Sequence, residues 1–186
     1  MAADLAVAPN VGMNPWDETM LAQSVAMMPH MTHFSREYWT RWDDSANFRG
    51  GTWESPLDTM VIAQAEGVAY LAVTKGPGEE GAVEGQRYGR ASWLLAWDGE
   101  SESAWGYWGE GVEPYGPDWE PDIGLPTGEA VEIDGVWRRA YNRGLVLVNP
   151  GEQAVEVALG ETLTDPDLGA VDRITLAAGQ GRVLLR

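Results

Sequence analysis

The side chains able to do chemistry fall into a few short stretches. Pro29 to Glu37 holds both histidines, His30 and His33, with Arg36 and Glu37 close behind. On an extended chain an offset of three puts His30 and His33 on opposite faces, so they would not share a metal. With no cysteine and no H-E-x-x-H, no zinc site is expected. Gly76-Pro-Gly-Glu-Glu-Gly81 fits G-x-G-x-x-G after a predicted strand, with Asp98 further on. Pro77 stiffens that turn, and Glu79 and Glu80 would oppose a pyrophosphate's charge. The next predicted helix starts too late to aim its N-terminus at a phosphate. The stretch therefore reads as a solvated loop. Asp165-Pro-Asp-Leu-Gly169 lacks the third acid of a calcium loop and has Leu176 where that loop needs glutamate. Asp118-Trp-Glu-Pro-Asp122 sets three acids around an indole. It reads as a solvated loop first and as a sugar contact second. No cofactor and no metal are expected.

Ten tryptophans in 186 residues stand out more than any motif. Indole faces stack on the apolar faces of sugar rings, so carbohydrate is a natural ligand class. Tryptophan equally serves cores and interfaces, where it buries a large area. The formal net charge is −17, from 12 Lys and Arg against 29 Asp and Glu. Such a surface repels phosphate backbones, so nucleic acid is not an expected partner. No apolar run approaches the length of a membrane span, and Met1 to Ala8 lacks the basic start of a signal peptide. The localisation stays open, with secretion of a longer parent one option.

These side chains must be held by elements, and the pattern changes along the chain. Leu5 to Pro9 reads as a buried strand, and Asp17-Glu18 opens a short helix. Ser24 to Phe34 reads as the next strand and its loop. Ser55-Pro56 reads as N-cap and first turn of a helix ending at Gly67. Val68 to Thr74 is an apolar strand of the doubly buried type. A helix follows to Trp97, then a short aromatic strand from Ala104 to Trp108. Strand and helix alternate throughout, which argues for parallel strands with crossover helices. Gly109 to Gly128, rich in Pro, Gly and acids, reads as a connecting loop. Beyond it, Leu145 to Val148 gives the densest strand signal, stopped by Asn149-Pro150-Gly151. Further runs at Ala154 to Leu159, Arg173 to Ala177 and Val183 to Leu185 complete an antiparallel pattern.

Trp137-Arg-Arg-Ala-Tyr-Asn-Arg-Gly-Leu-Val-Leu-Val-Asn-Pro150 and the closing Leu184-Leu-Arg186 resemble the tail of glycoside hydrolases. In those proteins a (β/α)8 barrel is followed by a small all-β domain. Tyr88 to Gly99 and Asp122 to Gly128 are similar to the same family's last barrel helix and exit loop. The resemblance implies a partial (β/α)8 barrel of about four βα units, since a whole barrel needs about 250 residues. The implied division is a barrel portion over 1–112, an exit loop over 113–128 and an antiparallel β-sandwich-like domain over 129–186.

The resemblance also implies a function: the C-terminal part of a glycoside hydrolase acting on a poly- or oligosaccharide, inactive by itself. Such catalysis uses two carboxylates at the strand ends. The family leads one to expect an acid near the end of the second strand. Thr32-His33-Phe34 stands there instead, with Glu37 the nearest acid. Glu37 and His33 are thus the candidate catalytic residues. Asn10, Trp39, Trp42, Lys75 and Trp119 are the candidate substrate contacts. The competing reading is a non-catalytic carbohydrate-binding or interaction protein using exposed tryptophan. Open edges on a partial barrel would also invite self-association.

Overall fold

The computed structural model describes residues 17–42, 46–76, 82–108 and 122–186. Helix α1 (Glu18–Met27) starts at Asp17, whose carboxylate accepts from the amides of Thr19 and Met20. That is N-capping, with Glu18 adding charge of the favoured sign in the first turn. A 3-10 turn over Met28–His30 leads into β1 (His33–Arg36). Helix α2 (Gly50–Ala65), β2 (Ala69–Lys75), α3 (Ala82–Ala96) and β3 (Ala104–Trp108) follow. Strands β1, β2 and β3 form a parallel sheet in that order, with Phe34 opposite Tyr70 and Ala72 opposite Trp105.

The expected partial (β/α)8 barrel does not form. The described residues hold three parallel strands in an open sheet, beside a larger antiparallel one, so the molecule is mostly β. Alternating strands and helices are common to barrels and open sheets, and the sequence pattern does not separate the two. The strand expected at Leu5–Pro9 lies outside the described residues. Two local expectations also change. Val25 to Met27 belongs to α1 rather than to a strand, because short apolar runs have no distinctive period. Helix α2 begins at Gly50, so Pro56 lies inside it, its ring buried.

The antiparallel sheet has β4 (Val131–Ile133), β5 (Val136–Tyr141), β6 (Gly144–Asn149), β7 (Val155–Asp165), β8 (Gly169–Leu176) and β9 (Gln180–Leu185). Their order is β4-β5-β6-β9-β7-β8. Strand β6 alternates between two cores. Val146 and Val148 join the core of the parallel sheet and its helices, while Leu147 joins Val136, Val157, Leu163 and Leu184. A strand buried on both faces must be apolar throughout, which is why this run was so legible.

Helix α3 lies between the sheets and binds both. On one side Gly89 sits against Thr74, where an added Cβ would be 2.1 Å from the hydroxyl. On the other, Gly181 of β9 lets the helix approach until its Cβ would stand 2.8 Å from Ala91. Charges flank this contact. Arg182 grips Glu84 through two hydrogen bonds of 2.9 and 3.1 Å, and Arg87 pairs with Asp167. At the other end Arg139 of β5 donates to the carbonyls of Leu94, Leu95 and Trp97 and to Gly128. A cation there suits the negative end of the helix dipole. Ile123 to Thr127 run beside the β5–β6 hairpin, with backbone bonds to Arg143, Asn142 and Ala140.

Candidate functional site

Parallel strands point their C-terminal ends the same way, so residues just past those ends gather at one edge. Here that edge receives Glu37 and Tyr38 after β1, Lys75 from β2 and Trp108 from β3. The Lys75 ammonium is the hub. It lies 3.2 Å from a Glu37 carboxylate oxygen, 4.5 Å from the Tyr38 ring centre and 4.7 Å from the Trp108 ring centre. An ammonium over an aromatic face is attracted by the ring quadrupole. Burial works against the charge on Lys75. The hydrogen bonds to Glu37 and Tyr38 outweigh it, so the group titrates above its ordinary value.

The rings extend outward from this hub. Tyr38 packs on Trp42 with centroids 4.5 Å apart, and Trp42 meets Phe48 edge-on at 5.6 Å. Trp42 is 43% exposed and Trp108 is 65% exposed. Buried Arg36 holds the turn beneath by donating to the Tyr38 carbonyl at 3.1 Å. The result is a shelf of aromatic faces around a carboxylate–ammonium pair.

The candidate residues separate into distinct places. Glu37, Lys75 and Trp42 come together on the shelf. Trp39 does not reach it: the indole is buried and donates to the Gly89 carbonyl at 2.9 Å, anchoring the turn on α3. His33 starts β1, opposite Ala69, with Nδ1 2.9 Å from the Thr32 hydroxyl. Four residue steps of extended chain, about 13 Å, separate His33 from Glu37, so the two do not act on one atom. Asn10 and Trp119 lie outside the described residues, as does the cluster 118–121. Tyr38 and Trp108 also stand on the shelf and were not among the candidates. Their signal was position, since each stands at or just beyond the C-terminal end of a strand.

Gly76, the first glycine of G-x-G-x-x-G, is packed against an aromatic ring. The Tyr107 ring closes over it, and a Cβ there would stand 1.6 Å from the phenol oxygen. Residues 77–81 lie outside the described set. Among the described residues no group of three or more His, Asp or Glu is placed to hold a metal ion. No helix among them is long and apolar enough to cross a membrane.

No family model matches the chain, and no curated protein matches it. Among solved structures it is similar to Eubacterium rectale Amy13B, with a TM-score of 0.47 and 11% identity. The alignment covers 100% of this chain and 53% of that one, so the chain spans about half the length of that structure. A likeness of this size decides neither fold nor activity.

Proposed function

We propose that the strand-end shelf binds carbohydrate without turning it over. The reading rests on this chain's own residues and takes no weight from the distant likeness to Amy13B. One observation carries it: Trp108 and Trp42 present exposed ring faces beside an ion-paired carboxylate and ammonium. Indole and phenol faces suit the C–H faces of a pyranose. Glu37 accepts from sugar hydroxyls and Lys75 donates to them, which fixes orientation around the stacked ring.

Hydrolysis is the second reading, favoured by the resemblance in sequence. It asks for two carboxyl groups about 5 to 10 Å apart, one of them a proton donor. Glu37 is engaged by an ammonium, and an ion-paired carboxylate accepts hydrogen bonds rather than supplying a proton. Among the described residues at these three strand ends, Glu37 is the one carboxylate.

Calorimetric titration with maltohexaose, cellohexaose and xylohexaose tests the proposal. At least one is expected to bind, and Trp108→Ala should weaken it about tenfold, or 1.4 kcal/mol. Absence of saturable binding to any of them, or binding indifferent to Trp108→Ala and Trp42→Ala together, would overturn the reading. Hydrolysis that disappears in Glu37→Gln would replace it with the enzymatic one.

A further inference from the structure

A second concavity lies away from the shelf, where α2, the end of α3 and β5 meet. It is a cleft of about 470 Å³. That volume falls in the range of small-molecule sites. Its walls are apolar: Leu57 and Val61 from α2, Leu95 from α3 and Trp137 from β5. Val61 is 52% exposed, which leaves an apolar wall facing solvent.

The charges around it are one-sided. Glu54 and Asp58 stand on α2, Asp98 follows α3, and Glu129 precedes β4. Arg139 is the one cation on the lining, and its Nε and Nη1 are engaged. Its donors serve the carbonyls of Gly128, Leu94, Leu95 and Trp97. Asp98 accepts the amide hydrogens of Glu100 and Ser101 through one oxygen. Asp58, Glu54 and Glu129 have no hydrogen-bond or ion-pair partner for their carboxylates among the described residues. Burial against the apolar wall pushes the Asp58 carboxyl up from its ordinary value, so its charge is under-solvated as well as unpaired.

We propose that this cleft binds a small organic cation, an ammonium or guanidinium head on an aromatic or branched apolar body. The body covers Trp137, Leu57 and Val61. The head meets Asp58, with Glu54 and Glu129 also on the lining. An anion is disfavoured, because four carboxylates face it on the lining against one guanidinium. A neutral molecule of the same shape gains the apolar contacts and leaves the carboxylates as they were. A basic protein segment would fit the charge, but a volume of about 470 Å³ matches a compact ligand.

Three indoles of like size separate these outcomes: tryptamine (cation), tryptophol (neutral) and indole-3-propionate (anion). Titration at low salt near neutral pH should show tryptamine binding about tenfold or more tighter than tryptophol, with the propionate weakest. Asp58→Asn with Glu129→Gln should bring tryptamine close to tryptophol. Both positions are exposed, so the pair should melt as the parent does. Glu156→Gln, an exposed acid on β7, should leave the preference intact and so separates the cleft from the overall charge of −17. Lowering the pH through the raised Asp58 titration should weaken tryptamine and spare tryptophol. The proposal is overturned by equal binding of tryptamine and tryptophol, by no saturation below about 10 mM, or by a Glu156→Gln effect as large as that of the cleft pair.

Discussion

Strand β6 of the antiparallel sheet is buried on both faces, whereas β2, the centre of the parallel sheet, is buried on one. In β2, Tyr70, Ala72 and Thr74 are covered, while Leu71, Val73 and Lys75 are half-buried. The difference separates an enclosed sheet from one that stays open to solvent on one side. The antiparallel sheet encloses Leu147 between its strands and docks on α3 through Gly181. The parallel sheet is held from one side, and its strand ends carry rings and charges that a ligand can reach.

If that division is right, the largest loss should come from β6. Leu147→Ala removes a fully buried side chain from the core of the antiparallel sheet. It should cost about 3 kcal/mol in denaturant unfolding. Val73→Ala, on the half-open face of β2, should cost about 1 kcal/mol. Equal losses at the two sites would break the comparison.

Arg139 comes next, because it joins the antiparallel sheet to the end of α3. Arg139→Met keeps much of the stem and removes the donors. The Leu95, Trp97 and Gly128 carbonyls lose them, while Leu94 keeps the Tyr141 hydroxyl at 2.7 Å. A loss of about 2 kcal/mol is expected. Hydrogen exchange should speed up in the last turn of α3 while β7 and β8 stay protected. Uniform loosening of both sheets would mean that the arginine does more than cap the helix.

Much of this was legible beforehand, and the rest was hidden for identifiable reasons. Leu145 to Val148 declared itself because both faces are buried. Ala104 to Trp108 was read with its correct ends. The start of α2 was misread because Ser55-Pro56 is a strong local signal that tertiary packing overrides: the helix begins at Gly50, and Trp53 is buried within it. Trp39 shows the limit for the site. An exposed and a buried indole look alike in sequence, and only the hydrogen bond to Gly89 identifies the anchor. The barrel expectation failed on closure, which needs strands beyond the three that pair here and leaves no mark in the residues of any one strand.

Acid should act on the α3–sheet contact in a smaller way. The hydrogen bond from Arg87 lowers the Asp167 carboxyl below its ordinary 3.8, against the opposing effect of burial. Its folded value is therefore below its unfolded one. The stabilisation is full above the unfolded value and fades as pH falls from about 4 through the folded value. Asp167 is half-exposed, so after screening the pair contributes under about 1 kcal/mol. Asp167→Asn should cost that amount near neutral pH and lose less than the parent on acidification below pH 4. Parallel acid curves for the two proteins would show that the pair contributes nothing.

The smallest effect on stability should come from the shelf, and there the comparison is sharpest. Trp108 is 65% exposed and ends β3, so its ring gives up little buried area when truncated. Its contact with Lys75 is a cation–ring pair on an exposed indole, and pairs at exposed rings contribute about 0.5 to 1 kcal/mol. Part of that returns, because Lys75 keeps Glu37 at 3.2 Å and Tyr38 at 4.5 Å. Trp108→Ala should therefore shift unfolding by about 0.5 kcal/mol or less. Lys75→Met should cost somewhat more, since it also leaves Glu37 without its cation. An indole kept on the surface at so small a gain in stability is a poor structural element and a good contact surface. A loss near 2 kcal/mol in Trp108→Ala would reverse this, making Trp108 a packing residue and removing the main support for carbohydrate binding at the strand ends.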